Sequence, residues 1–138
     1  MIVPLPVVKA MPENILIRTP NHLGDCLMAL PMIEATGAAH PDAKVTLLTP
    51  DHFAELYEGN PAVDEILPIP TTDLHGLMAV KRIALLIAKG HYDVGYILPP
   101  SLSSASAFKL GGVKKRIGYV SDGRRLLLSK PDMLLLDE

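Results

Sequence analysis

Three consecutive aliphatic residues, Ile15, Leu16 and Ile17, run into the chain-breaking pair Pro20 and Asn21. Gly24 and Asp25 then open an apolar segment in which Leu27, Leu30 and Ile33 or Glu34 follow a 3.6-residue period. A strand apolar on both sides is a strand buried on both faces, as in a parallel sheet covered by helices. The segment from residue 15 to Pro31 therefore reads as a central strand, a tight polar turn and the first turns of a helix. In such folds the chemistry collects where the carboxyl end of a strand turns into a helix. An acidic side chain at that turn, here Asp25, is a candidate acid or base.

The rest of the chain repeats the alternation. A first strand at 14–18 and a helix near 24–37 lead to a turn over Gly37 to Asp42 and a second strand at 44–49. Pro50 and Asp51 cap a short helix near 51–58, and Gly59, Asn60 and Pro61 break the chain before a third strand at 64–68. A polar loop precedes a helix over 76–89 that Gly90 ends. A fourth strand follows at 93–98, then a helix near 102–110 that Gly111 and Gly112 terminate, and a fifth strand near 115–119. Alternating βα units of this size give parallel strands with right-handed crossovers. The expected fold is a Rossmann-like, three-layer α/β/α domain with sheet order 3-2-1-4-5 and Ile15 to Ile17 at its centre.

At 138 residues the chain has room for one domain with a real core. Its hydrophobic content of 49% with only 4% aromatics favours an aliphatic α/β core over a sandwich. A net charge of −2, with few aromatics and none interleaved with the basic residues, argues against nucleic acid as a partner. The single cysteine, Cys26, excludes an internal disulfide and fits a reducing compartment. It reads as a small buried hydrophobe, not a nucleophile. No apolar run approaches the roughly 20 residues of a membrane span. The apolar start, Met1 to Val8, is interrupted by Pro4 and Pro6 and reads as a leader over residues 1–13, not a signal peptide. The apolar runs Leu126 to Leu128 and Met133 to Leu136 lie close to the end of a domain, where exposed leucines are unusual.

Several polar residues fall at the strand ends. Asp25 alone reads as an aspartate in the first turn of a helix, satisfying orphan amides, or as a general base. Gly24 lets the backbone turn without a Cβ and lets a ligand approach. Asn21 and His22 share the same loop; His22 is either a sugar or phosphate contact or a solvated loop histidine. Ser101, Ser103 and Ser104 follow the fourth strand, where Ser101 caps the next helix or, with its amides, binds an anion. No histidine–aspartate partner pattern surrounds these serines, which excludes a hydrolase triad. His40, His52, His75 and His91 lack metal-ligand spacing, so no metal is expected. No Gly-x-Gly-x-x-Gly follows the first strand, so a dinucleotide site is not expected in this half, and no cofactor is assigned to the chain. Basic residues concentrate late, at Lys109, Lys114, Lys115, Arg116, Arg124 and Arg125, with Arg18 and the Lys81–Arg82 pair earlier. Such a cluster is a solvated face or an anion-contacting patch.

The run Pro20, Asn21, His22, Leu23, Gly24, Asp25, followed by Leu30 and Pro31, resembles the N-terminal signature of the bacterial lipopolysaccharide heptosyltransferases, glycosyltransferase family 9, especially the heptosyltransferase II type. That family usually carries tryptophan where this chain has His22. Further matches in order and spacing cover about residues 14 to 130: His40–Pro41, Asn60 to Val63, Tyr92–Asp93, Pro99 to Ser101 with Ser104–Ala105, and Arg116 to Tyr119. The resemblance implies the first of two Rossmann-like domains in a GT-B arrangement, with the donor-binding C-terminal domain outside these 138 residues. It implies that Asp25 is the general base for an acceptor hydroxyl, and that Asn21, His22, Gly24, Ser101 and Ser104 contact substrate. The implied partners are ADP-heptose, held mainly by the other domain, the lipopolysaccharide core acceptor, and a peripheral contact with the inner-membrane surface from the cytoplasmic side. The implied fragment alone is inactive. A free-standing Rossmann-like binding module without catalysis, and a two-domain glycosyltransferase for another sugar, remain open alternatives.

Overall fold

A computed structural model describes residues 14–73, 76–99 and 102–118. The expected leader, Ser101, Arg124, Arg125 and the two late apolar runs lie outside the described residues.

Five strands, β1 (Asn14–Arg18), β2 (Lys44–Pro50), β3 (Glu65–Ile69), β4 (Val94–Ile97) and β5 (Lys115–Gly118), form one parallel sheet in the order β3-β2-β1-β4-β5. This is the expected order, with β1 at the centre. Ile15 pairs with Val45 on one side and Val94 on the other, and Ile17 with Leu47 and Tyr96. The period of two divides each strand between two cores. Ile15, Ile17, Val45, Leu47, Val94 and Tyr96 face the layer of helix α1 (Leu23–Ala39). Leu16, Leu48 and Ile97 face the opposite layer, made by α2 (Leu77–Ala88) and α3 (Leu102–Leu110). The result is a Rossmann-like α/β fold with helices on both faces of the sheet.

Some details depart from the sequence reading. The helix expected near 51–58 is a 3₁₀ segment over Asp51–Leu56. It closes with a three-residue bond from the Tyr57 amide to the Ala54 carbonyl, 3.1 Å. Gly59, at φ +79, ends any continuation, and short pieces of this kind take the tighter helix. Helix α1 does not stop at Gly37. A Cβ there would lie 3.1 Å from that of Ala62, so Gly37 serves close packing, and the chain leaves the helix at His40, whose amide bonds the Thr36 carbonyl. Gly95 is the other close approach: a Cβ at this point of β4 would meet the Phe108 ring of α3 at 2.5 Å. The exposed Pro68 is tolerated because β3 is an edge strand.

Candidate functional site

The carboxyl end of β1 continues into a loop that its own residues fasten. The Thr19 amide bonds the Leu48 carbonyl at 3.0 Å, prolonging the β1–β2 ladder, and the Thr19 and Thr49 hydroxyls are 2.6 Å apart. Pro20 follows, and its carbonyl accepts from the Cys26 thiol at 3.2 Å. The Tyr57 hydroxyl donates to the Cys26 carbonyl at 3.4 Å. Cys26 is thereby buried beneath the loop, and burial raises its thiol pKa, which matches its reading as an inert hydrophobe.

The sequence reading missed the role of Arg18. It is only 5% exposed and does not belong to a solvated basic face. Its Nη2 donates to Asn21 Oδ1 at 2.7 Å and its Nη1 to the Thr19 carbonyl. No carboxylate pairs with it among the described residues, and burial lowers its pKa to about 10. The signal was present in the sequence: a cation in the last position of an otherwise apolar central strand stands at the point where the crossovers diverge.

Asn21 is therefore partly committed. Its carbonyl oxygen serves Arg18, leaving its amide group as the side a ligand would meet. His22 is exposed at the N-cap position of α1 in extended backbone, with no capping bond from its side chain. Asp25 is exposed in the first turn of α1, at the carboxyl end of the sheet. Among the described residues it makes no hydrogen bond or ion pair, and in particular none to a first-turn amide or to Arg18. That removes the main support for the reading of Asp25 as a bonded helix cap.

Gly24 requires a correction. It lies inside α1 at an ordinary negative φ, and a Cβ there would meet nothing within 4 Å. Neither turn geometry nor packing requires glycine at this position, which leaves the open approach as the property that distinguishes it. Ser104 comes together with Arg18, Ser103 and Gly76 around a small pocket of about 20 Å³, between the starts of α2 and α3. That is room for about one water molecule. A larger hollow of about 420 Å³, lined by His40, Asn60 and Asp64 among others, lies at the amino end of the sheet, away from these residues. Among the described residues no group of three or more His, Cys, Asp and Glu is placed to hold a metal.

No family model matches the sequence, and no curated protein matches it. Solved structures do. The chain is similar to the ADP-heptose lipopolysaccharide heptosyltransferase II of E. coli, with 25% identity and a TM-score of 0.73 over 85% of this chain and 34% of that one. It is similar to a glycosyltransferase of family 9 from Veillonella parvula, with 21% identity and a TM-score of 0.69 over 77% of this chain and 32% of that one. It also shares its fold with the C-terminal domain of a hydrogenase from Pyrococcus furiosus, with 16% identity and a TM-score of 0.54 over 83% of this chain and 95% of that one. The chain thus spans about a third of the length of the two glycosyltransferases and resembles a glycosyltransferase domain. No described helix is long and apolar enough to cross a membrane.

Proposed function

We propose that this chain is the acceptor-binding, base-bearing domain of an inverting glycosyltransferase that moves heptose from ADP-heptose onto the lipopolysaccharide inner core. The observation that carries the reading is Asp25, an exposed carboxylate without a bonding partner among the described residues, at the start of the helix that follows the central strand. We assign it the role of general base. Asn21, His22, Gly24, Ser101 and Ser104 are proposed to hold the acceptor beside it. An acceptor hydroxyl placed there loses its proton to Asp25 as its oxygen bonds to the anomeric carbon. The bond between the anomeric carbon and the diphosphate oxygen breaks on the opposite side, ADP leaves with the electron pair on that oxygen, and the configuration inverts.

Donor contacts are assigned to a C-terminal domain of the GT-B arrangement, so this domain alone is close to inert, because transfer needs both substrates in near-attack geometry. No cofactor enters the scheme. The reading places the enzyme on the cytoplasmic side, in peripheral contact with the inner membrane that carries its acceptor. Calorimetry on the chain tests the assignment. Binding of an inner-core acceptor saccharide, with no micromolar affinity for ADP or ADP-heptose, supports it; micromolar donor binding to these 138 residues overturns it. A free-standing Rossmann-like binding module without catalysis is the second reading. That reading predicts binding of neither substrate.

A further inference from the structure

Charge is segregated along the sequence. Residues 14–73 carry nine carboxylates against Arg18 and Lys44. Residues 74–121 carry seven cations and one carboxylate, Asp93. That one is turned inward at the amino end of the sheet, where its Oδ2 accepts from the Asn14 amide at 3.0 Å. The fold converts this linear division into a spatial one. The acidic half supplies α1, β2 and β3; the basic half supplies β4, β5 and the whole α2/α3 layer.

The same layer carries apolar side chains in solvent. On α2 the exposed residues are Leu77, Met78, Lys81, Arg82, Leu85 and Ala88, with Lys89 just beyond. At 100° per residue they fall within an arc of about 140°, so they form one continuous stripe. Leu77 is 88% exposed, and on the neighbouring α3 Leu110 is 69% exposed, with Leu102 and Lys109 also in solvent. Leu85 and Leu110 lie toward the amino end of the sheet, so the surface runs the length of the layer and is not merely the rim of the site. Leucines and lysines on one face, without a carboxylate on either helix, are the chemistry of a helix lying in the plane of an anionic bilayer.

We propose that the α2/α3 layer docks flat on an anionic phospholipid surface, its leucines entering the interface and its lysines meeting headgroup phosphates. The proposal rests on the peripheral membrane contact of the proposed function and assigns it to a defined, partly apolar face. It fits an enzyme whose acceptor is lipid-borne, with α1 on the face of the sheet turned away from the bilayer.

Vesicle co-sedimentation of the full chain tests it, using phosphatidylcholine alone and phosphatidylcholine mixed with phosphatidylglycerol. The expected result is binding to the mixed vesicles at least about tenfold tighter than to phosphatidylcholine, weakened by salt. Two variant pairs, M78S with L85S and K81E with K89E, are each expected to lower that binding about tenfold. A control pair on the opposite layer, L27S with M28S, should leave it unchanged. All six side chains are exposed, and melting curves check that each variant is folded. Equal binding to both vesicle types, wild-type binding by both α2 pairs, or loss in the α1 pair overturns the proposal. So does gel filtration showing a dimer that the α2 pairs dissolve while vesicle binding is absent. The readout contains no transfer step, so a negative result here leaves the glycosyltransferase reading standing, and failure of the Asp25 test leaves this one standing.

Discussion

Arg18 Nη2 lies 2.7 Å from Asn21 Oδ1, so a buried cation at the end of the central strand grips the loop that leads to Asp25. The second grip, Nη1 on the Thr19 carbonyl, makes the contact two-pronged. Both acceptors are neutral, and the guanidinium spans them because its donors are fixed in a plane.

The change Arg18→Lys preserves charge but places a single ammonium where two separate acceptors are waiting. It is expected to cost about 1–2 kcal/mol of stability, read as a lowered Tm. If the loop forms part of the acceptor site, the KM for acceptor rises with it while the donor KM does not. A lower Tm with unchanged acceptor KM would show that the loop is structural only.

Gly24 gives a test in which stability and function move apart. Its backbone is helical and the space beside it is open, so Gly24→Ala should stabilise the domain by up to about 1 kcal/mol. In the proposed site the added methyl meets the acceptor, and transfer falls while Tm rises. A stabilised variant with full activity would place the acceptor elsewhere.

Both outcomes bear on how much the sequence disclosed. The sheet order and the central place of Ile15 to Ile17 were legible because periodicity and buried-strand composition are local signals. So were the α/β class and the turn that presents Asp25. For Arg18 only the position was legible, a cation ending an apolar central strand; its burial and its hold on the loop follow from neighbours that only the sheet brings together. Gly24 was misread in one respect for the same reason. A glycine near a turn looks like a turn residue until the helix is seen to start at Leu23.

Gly95 should tolerate nothing larger. A Cβ at this position would stand 2.5 Å from Phe108 Cδ2 and 3.0 Å from Val113 Cγ1, both in the core beneath α3. The variant Gly95→Ala is expected to cost about 1–3 kcal/mol in denaturant unfolding. Pairing it with Phe108→Leu should recover part of that loss, since the ring is what the methyl strikes.

Stability is expected to fall on the alkaline side. Burial pushes the Tyr96 hydroxyl up to about 12 and raises Tyr57, Tyr92 and Cys26 as well. Each group is neutral when folded and ionises earlier when unfolded, so the unfolded state loses protons first as pH rises. The contribution of Tyr96 is therefore whole below about pH 10 and is lost progressively up to about pH 12. A shift of this size corresponds to roughly 2–3 kcal/mol. Urea midpoints from pH 8 to 11 should decline, and less steeply in Tyr96→Phe. A flat profile in the parent protein would contradict the burial of these phenols.

Asp25 carries the chemical claim. In the proposed two-domain enzyme, Asp25→Asn keeps the size of the side chain and removes the proposed base. Because the carboxylate is exposed and makes no hydrogen bond among the described residues, the fold should lose almost nothing, and Tm should hold for both Asn and Ala. Transfer should drop by about 10²–10⁴-fold, the usual contribution of a positioned general base. The loss belongs to kcat, with donor and acceptor affinities changed far less, since the proton moves only in the transition state. A bonded helix cap would behave in the opposite way, losing about 0.5–2 kcal/mol on change to Ala while transfer continued. Measuring Tm, acceptor affinity and single-turnover rate on the two variants separates the cases. If transfer persists in both, the base is another group, and the inverting mechanism built on this turn fails with it.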